Sequence, residues 1–210
     1  MNNLKRVILC ALLFSIQLLY FPLNEYMHGG IELKTPLDTH IPIWPIWVVP
    51  YSLICIWWVV AYIWAAWRMD EDLYEALFLS SAIMQVSAFM IFTFFPTYVV
   101  RTPLTSSDLF SQWLNWIYSN DHAYNAFPSG HVYITTMIAL FWSRYYPKWR
   151  WVWIGTIVMI FLATLFTHQH YLLDPLGGLA IAWISYCVGL WCISKDRRDL
   201  RQVIHTSQAR

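Results

Sequence analysis

Four side chains in this sequence have the chemistry to act together on an anion: His131, His170, Asp174 and Arg101. His131 closes the run Phe127-Pro128-Ser129-Gly130-His131. His170 sits in Thr167-His168-Gln169-His170-Tyr171-Leu172-Leu173-Asp174. An imidazole can attack as a nucleophile or move a proton. A carboxylate bonded to one ring nitrogen fixes the tautomer and leaves the other nitrogen to react. Asp174 follows His170 by four residues, a spacing that puts both on one face if the segment is helical. A guanidinium matches phosphate oxygens. Two imidazoles, a carboxylate and a guanidinium in one place can make a phosphoryl-transfer site.

Each element also has a plainer explanation. Pro128 disfavours helix just before it, Ser129 is a good N-cap, and Gly130 leaves room for a ligand. A helix starting there offers free N–H groups to an anion, but an ordinary helix start with an interfacial histidine reads the same way. Asp174-Pro175 resembles an N-cap followed by proline at the first helical position. Asp174 therefore caps a helix, orients His170, or does both, and Gly177 and Gly178 allow close packing beside it. Arg101, in Phe95-Pro96-Thr97-Tyr98-Val99-Val100-Arg101-Thr102-Pro103, can equally hold a lipid headgroup. Lys34 and His168 are weaker candidates, as are His28, His40 and His122. His168, two residues from His170, would point elsewhere on a helix.

The elements that carry these residues are apolar. Of the 210 residues 59% are hydrophobic and only 12% charged, with 14 Trp. A soluble domain carries about twice that charge. The apolar residues come in blocks, at about 7–23, 46–67, 74–95, 131–146, 151–169 and 175–194, each near the ~20 residues that cross a bilayer, the fourth being short. The expected fold is all-α: a polytopic membrane protein, a six-transmembrane-helix bundle with both termini cytoplasmic. Residues 1–210 form a single membrane domain, with a catalytic core at about 75–195 and a polar cytoplasmic tail at 195–210, solvated and partly disordered. Lys5 and Arg6 before the first block suit a signal peptide, but no small-residue cleavage site follows, so it is kept as a span.

Basic residues set the orientation. With the N-terminus inside, eleven of the 13 Lys and Arg are cytoplasmic, and only Lys34 and Arg101 lie outside. That bias places both termini in the cytoplasm. Six of the seven histidines then fall on the outer side, with only His205 inside. The outer side has two long loops, about 24–45 and 96–130. Trp44 and Trp47, where the first loop meets the next span, suit an interfacial belt. Leu109 to Tyr118, in the second, has the spacing of an amphipathic surface helix. The cysteines Cys10, Cys55, Cys187 and Cys192 fall within spans and suit neither a zinc site nor a disulfide framework.

Together these segments resemble the type-2 phosphatidic acid phosphatase/haloperoxidase superfamily, in its membrane branch. Pro128 to His131 match its Pro-Ser-Gly-His motif, and His170 with Asp174 match its His-and-Asp motif. Arg101 alone represents its Lys/Arg-Pro segment, followed by Thr-Pro. The resemblance covers about residues 75–195. Two family cations are replaced, by Phe94 and by Thr164. That loss weakens binding of a phosphate dianion and matters less for a phosphodiester. The segment from Thr167 to Asp174, with Gly177-Gly178, is also similar to the inositol phosphorylceramide synthase and sphingomyelin synthase branch.

The resemblance implies a metal-independent lipid phosphate phosphohydrolase or phosphotransferase, with no cofactor. The catalytic residues would be His170 as nucleophile, Asp174 orienting it, and His131 as acid and then base. Arg101, Ser129 and Gly130 would bind phosphate, with Lys34 and His168 as reserve candidates. The partners would be a membrane lipid substrate and, for a transferase, a second alcohol acceptor; nothing suggests nucleic acid. The site would lie on the non-cytoplasmic face of an integral, multi-pass membrane protein. Two other classes compete. A metal-dependent membrane hydrolase would use His131, His168, His170 and Asp174, but no His-Glu-x-x-His signature is present. A transporter or channel would place polar groups at mid-depth, whereas here they gather at one face.

Overall fold

The computed structural model describes residues 3–208, with side chains described for 4–195. The side chains of the expected polar tail from 196 onward, among them Arg197, Arg198, Arg201 and Arg210, lie outside the described residues. The chain is all-α apart from a two-stranded tie. Helix α1 (Asn3–Leu18) breaks at Leu19 and continues as α2 (Tyr20–Tyr26). Then come α3 (Val48–Arg68), α4 (Glu71–Phe94), α5 (Leu109–Asn120), α6 (Gly130–Tyr145), α7 (Arg150–Phe166) and α8 (Leu173–Gln208).

Five stretches are long and apolar enough to cross a membrane: Leu4–Tyr26, Pro45–Arg68, Glu71–Phe94, Pro147–Phe166 and Leu173–Lys195. Their large apolar side chains face outward, with Trp67 79%, Phe94 75% and Trp151 70% exposed. This surface suits lipid and makes the chain a multi-pass membrane protein.

The fourth expected span, 131–146, is helix α6, which has 16 residues and falls below that length. It rises about 24 Å, less than the ~30 Å of a hydrocarbon core. Its apolar residues lie at the core of the bundle. Ten of its residues, from Val132 to Trp142, are buried. It packs on α3, α4, α7 and α8. Tyr133, Met137, Phe141 and Trp142 fill the interior against Tyr74, Leu77, Met84 and Phe92 of α4.

Small residues set how closely the helices approach. A Cβ at Gly189 of α8 would collide with Ser80 Oγ of α4. A Cβ at Gly178 would lie 2.9 Å from the carbonyl oxygen of Ser129, and one at Gly177 would strike the Phe127 ring. The first turn of α8 is thus pressed onto the start of α6. Asp70 caps α4 by accepting from the Leu73 N–H at 2.9 Å. Asp108 caps α5 by accepting from Phe110 and Ser111 N–H; the Ser111 and Ser106 hydroxyls help hold its carboxyl at about 2. The amphipathic stretch expected at 109–118 is α5, burying Ser111 and Leu114 and exposing Leu109 and Trp116.

The two long connections are folded against each other. Strand β1 (Ile31–Glu32) pairs in parallel with β2 (Thr97–Tyr98), Ile31 opposite Thr97. Buried Asp38 accepts from Thr35 N–H and from Leu172 N–H, both at 2.7 Å. Trp44 stacks on Phe166 at 4.5 Å between centroids, and its N–H donates to the Phe166 carbonyl.

Candidate active site

A cavity of about 460 Å³ opens where α6 begins. Arg101, Gly130, His131 and His170 all line it. Two imidazoles 39 positions apart in sequence therefore face one space. The geometry comes from the elements that deliver them. His131 is the second residue of α6. His170 lies in the loop 167–172 between α7 and α8, whose bonds to Thr164 fix it: the N–H groups of Gln169 and His170 both donate to the Thr164 carbonyl, at 3.1 and 3.2 Å.

Asp174 is fully buried, and its Oδ2 lies 3.3 Å from His170 Nδ1. The pairing does not follow from a shared helical face, because His170 precedes α8. Nor is Asp174 the N-cap: α8 already begins at Leu173, so Asp174 lies in the first turn. Its Oδ2 reaches back instead and accepts from Tyr171 N–H at 2.9 Å. The carboxylate thus binds the loop backbone and the imidazole together.

Ser129 precedes α6 at the N-cap position, but its side chain makes no capping bond. Its hydroxyl is buried without a protein partner among the described residues. Its N–H is also committed, donating to the Asp174 carbonyl at 2.9 Å. The Ser129 N–H is therefore not among the open donors at this helix start, although Ser129 itself stays beside them. The free groups at this helix start belong to Gly130, His131 and Val132. The Ser129–Asp174 bond also explains the two glycines, since only a close approach of α8 brings that carbonyl within reach.

His131 stacks on Tyr51 of α3 at 3.9 Å between centroids, with Trp58 tilted beside it at 5.2 Å. Its Nε2 lies 3.8 Å from Cys55 Sγ. No carboxylate touches this ring among the described residues. Trp58 is held by donating to Thr135 Oγ1 at 2.9 Å.

Arg101 is paired. Its Nη1 donates to the Asp121 carbonyl at 2.5 Å, and its Nη2 lies 3.6 Å from Asp121 Oδ2. The guanidinium also lies over the Tyr118 ring at 5.5 Å. Asp121 accepts from Asn24 Nδ2 at 2.7 Å and from Tyr20 OH at 3.3 Å. Burial pushes the Asp121 carboxyl above its ordinary value, and Arg101 opposes that.

Lys34 and His168 lie elsewhere. They line a smaller cavity of about 300 Å³, which His170 also borders. His168 has its Nε2 3.1 Å from the Ile41 carbonyl oxygen, and Lys34 lies 6.0 Å from the Tyr171 ring centroid. Tyr171 OH donates to Glu32, a short contact that anchors this wall.

Sequence reasoning missed Asp121, Asn125, Gln169 and Tyr51, all of which line the main cavity. Gln169 stood beside His170 in the sequence, and its position was a usable signal. The other three carried none.

Comparison with known proteins agrees with this architecture. The model of the PAP2 superfamily matches residues 17–188. A stretch of 63 residues is 32% identical to the inositol phosphorylceramide synthase catalytic subunit aur1 of Schizosaccharomyces pombe. That stretch is 30% of this chain but only 15% of the relative's length. No solved structure matches the chain at a significant level. The family match takes in α3 to α7, the start of α6 and the His170 loop, and on that coverage this membrane protein belongs to the PAP2 superfamily.

Proposed function

We propose that the protein is a lipid phosphatase that cleaves a phosphate ester of a membrane lipid through a phosphohistidine on His170. The observation that carries this reading is one cavity bordered by His131, His170 and Arg101, with Asp174 on the far nitrogen of His170. His170 Nε2 attacks phosphorus in line, and Asp174 stabilises the charge that develops on the ring. The lipid–oxygen bond to phosphorus breaks, and His131 gives its proton to the departing alkoxide. A water then loses its proton to His131 and attacks the phosphohistidine, freeing phosphate and restoring His170. Arg101 and the N–H groups of Gly130, His131 and Val132 bind the oxygens on which charge builds. The chain's own groups supply every step, so turnover is expected to persist in excess chelator. A strict need for zinc or magnesium would refute this.

The site is read as facing away from the cytoplasm. In support, Arg144 lies in the last turn of α6, at the opposite pole from His131. Tyr145 OH there donates to the Arg68 carbonyl, and Arg6 donates to the Ala66 and Met69 carbonyls. Basic residues thus gather at the pole away from the site, as the positive-inside rule requires of a cytoplasmic end.

A second reading, transfer to an alcohol in place of water, is favoured by the cavity walls. Leu13, Phe14, Tyr51 and Trp58 line it, and a dry pocket spares the phosphohistidine for an alcohol. The similarity to aur1 points the same way.

The test is recovery of label on the protein, stable to alkali and lost in acid, after alkaline quench of a reaction with lipid labelled at phosphorus. Wild type should carry label, and a folded His170→Ala variant should carry none and turn nothing over. Wild-type turnover in His170→Ala ends the proposal. Running the assay with and without candidate alcohols, and scoring free phosphate against new lipid, separates hydrolysis from transfer.

A further inference from the structure

We infer that the cavity takes a phosphate ester bearing one negative charge, a lipid phosphodiester, and that the carboxamides of Asn125 and Gln169 supply neutral donors to its oxygens. This rests on the reading above and narrows its substrate.

The charge count comes first. Arg101 is the only Lys or Arg lining the cavity among the described residues, and Asp121 pairs with it. The two formal charges cancel. Asp174 adds a buried carboxylate behind His170. A dianionic monoester would enter a space with no surplus positive charge. A monoanionic diester needs one charge fewer balanced.

The second observation is independent. Asn125 and Gln169 are each only 2% exposed and line the cavity. Neither carboxamide nitrogen nor oxygen has a protein partner among the described residues. Buried amides without partners cost stability, so four such atoms at a cavity wall point to a polar ligand. Asn125 also holds a left-handed backbone, φ +55°, a conformation Asn tolerates better than most residues. An NH₂ group can donate to a non-bridging phosphate oxygen without adding charge. The carbonyl oxygens remain to accept from a hydroxyl on the departing or incoming alcohol. Both amides flank the histidine loops directly, Gln169 next to His170 and Asn125 six residues before His131.

The experiment compares two lipids with the same tails, a diacylglycerol phosphate and its O-methyl ester, at pH 8. The first is then a dianion and the second a monoanion. Release of diacylglycerol is the common readout, with His170→Ala as control. Wild type should favour the methyl ester in kcat/KM by about tenfold or more. Asp121→Asn and Gln169→Lys each make the cavity more positive by one charge, at different points of its lining. Each should move the ratio about tenfold towards the monoester. Gln169→Leu should lower turnover of both lipids. A wild-type preference for the monoester overturns the inference and needs no variant. An unmoved ratio in active Asp121→Asn and Gln169→Lys also overturns it, and full methyl-ester turnover in Gln169→Leu removes the amide role. If neither lipid turns over, or His170→Ala matches wild type, the phosphohistidine reading itself has failed.

Discussion

His131 stands in the first turn of a buried helix, flat against Tyr51 and beside Trp58, whereas His170 stands in a loop with a carboxylate 3.3 Å from its Nδ1. The first ring is held by shape and has no charged partner among the described residues. The second is held by hydrogen bonds and has a charge beside it. A nucleophile that becomes cationic on bonding to phosphorus gains from a fixed counter-charge. A group that must give up a proton and take it back gains from having none. On the proposed mechanism the same side chain would thus be fitted to two tasks by its surroundings.

The leaving group offers the sharpest way to break this contrast. A substrate that releases a nitrophenol needs no acid. His170→Ala should lose at least about 10³-fold in kcat/KM on lipid and on nitrophenyl substrate alike. His131→Ala should lose about 10²–10⁴-fold on lipid but recover most of it on the nitrophenyl substrate. Equal losses in both assays would erase the division of labour. Next in size, Asp174→Asn should cost about 10²-fold and slow formation of the labelled protein more than its breakdown. Gly178→Ala tests the seam between the two histidine stations. Its added Cβ would meet the Ser129 carbonyl at 2.9 Å, and a thermal melt should show a loss of about 1–3 kcal/mol. The smallest effect is expected of Tyr51→Leu. A lost ring contact of about 0.5–1.5 kcal/mol should lower turnover on lipid a few-fold and leave the nitrophenyl substrate untouched.

How much of this was legible in the sequence varied by residue. His131, His170, Asp174 and Arg101 could be read because each stands at the end of an apolar block or in a rare outer position, where its chemistry is conspicuous. The amphipathic α5 was legible from its spacing. Helix α6 was legible as a helix, but its apolar sequence fits a buried core and a lipid-facing span equally well, and periodicity cannot separate them. Asp121 gave no sign, since a lone carboxylate in a loop reveals nothing of the arginine that will fold onto it. Tyr51 sits in an apolar span rich in aromatics, where one ring looks like any other. The bond from Ser129 N–H to the Asp174 carbonyl was not legible, because it depends on how closely two helices pack, a distance no motif states.

The bond from Leu172 N–H to Asp38 has a reach its size conceals. It fastens the loop bearing His170 to the connection that precedes α3, far from the motifs in sequence. Asn24 and Tyr20 likewise brace Asp121 from the N-terminal end of the chain. A fragment beginning near residue 75 would keep every motif residue yet lose the clamps that hold two of them in position. The unit of function here extends well upstream of the residues that would perform the reaction.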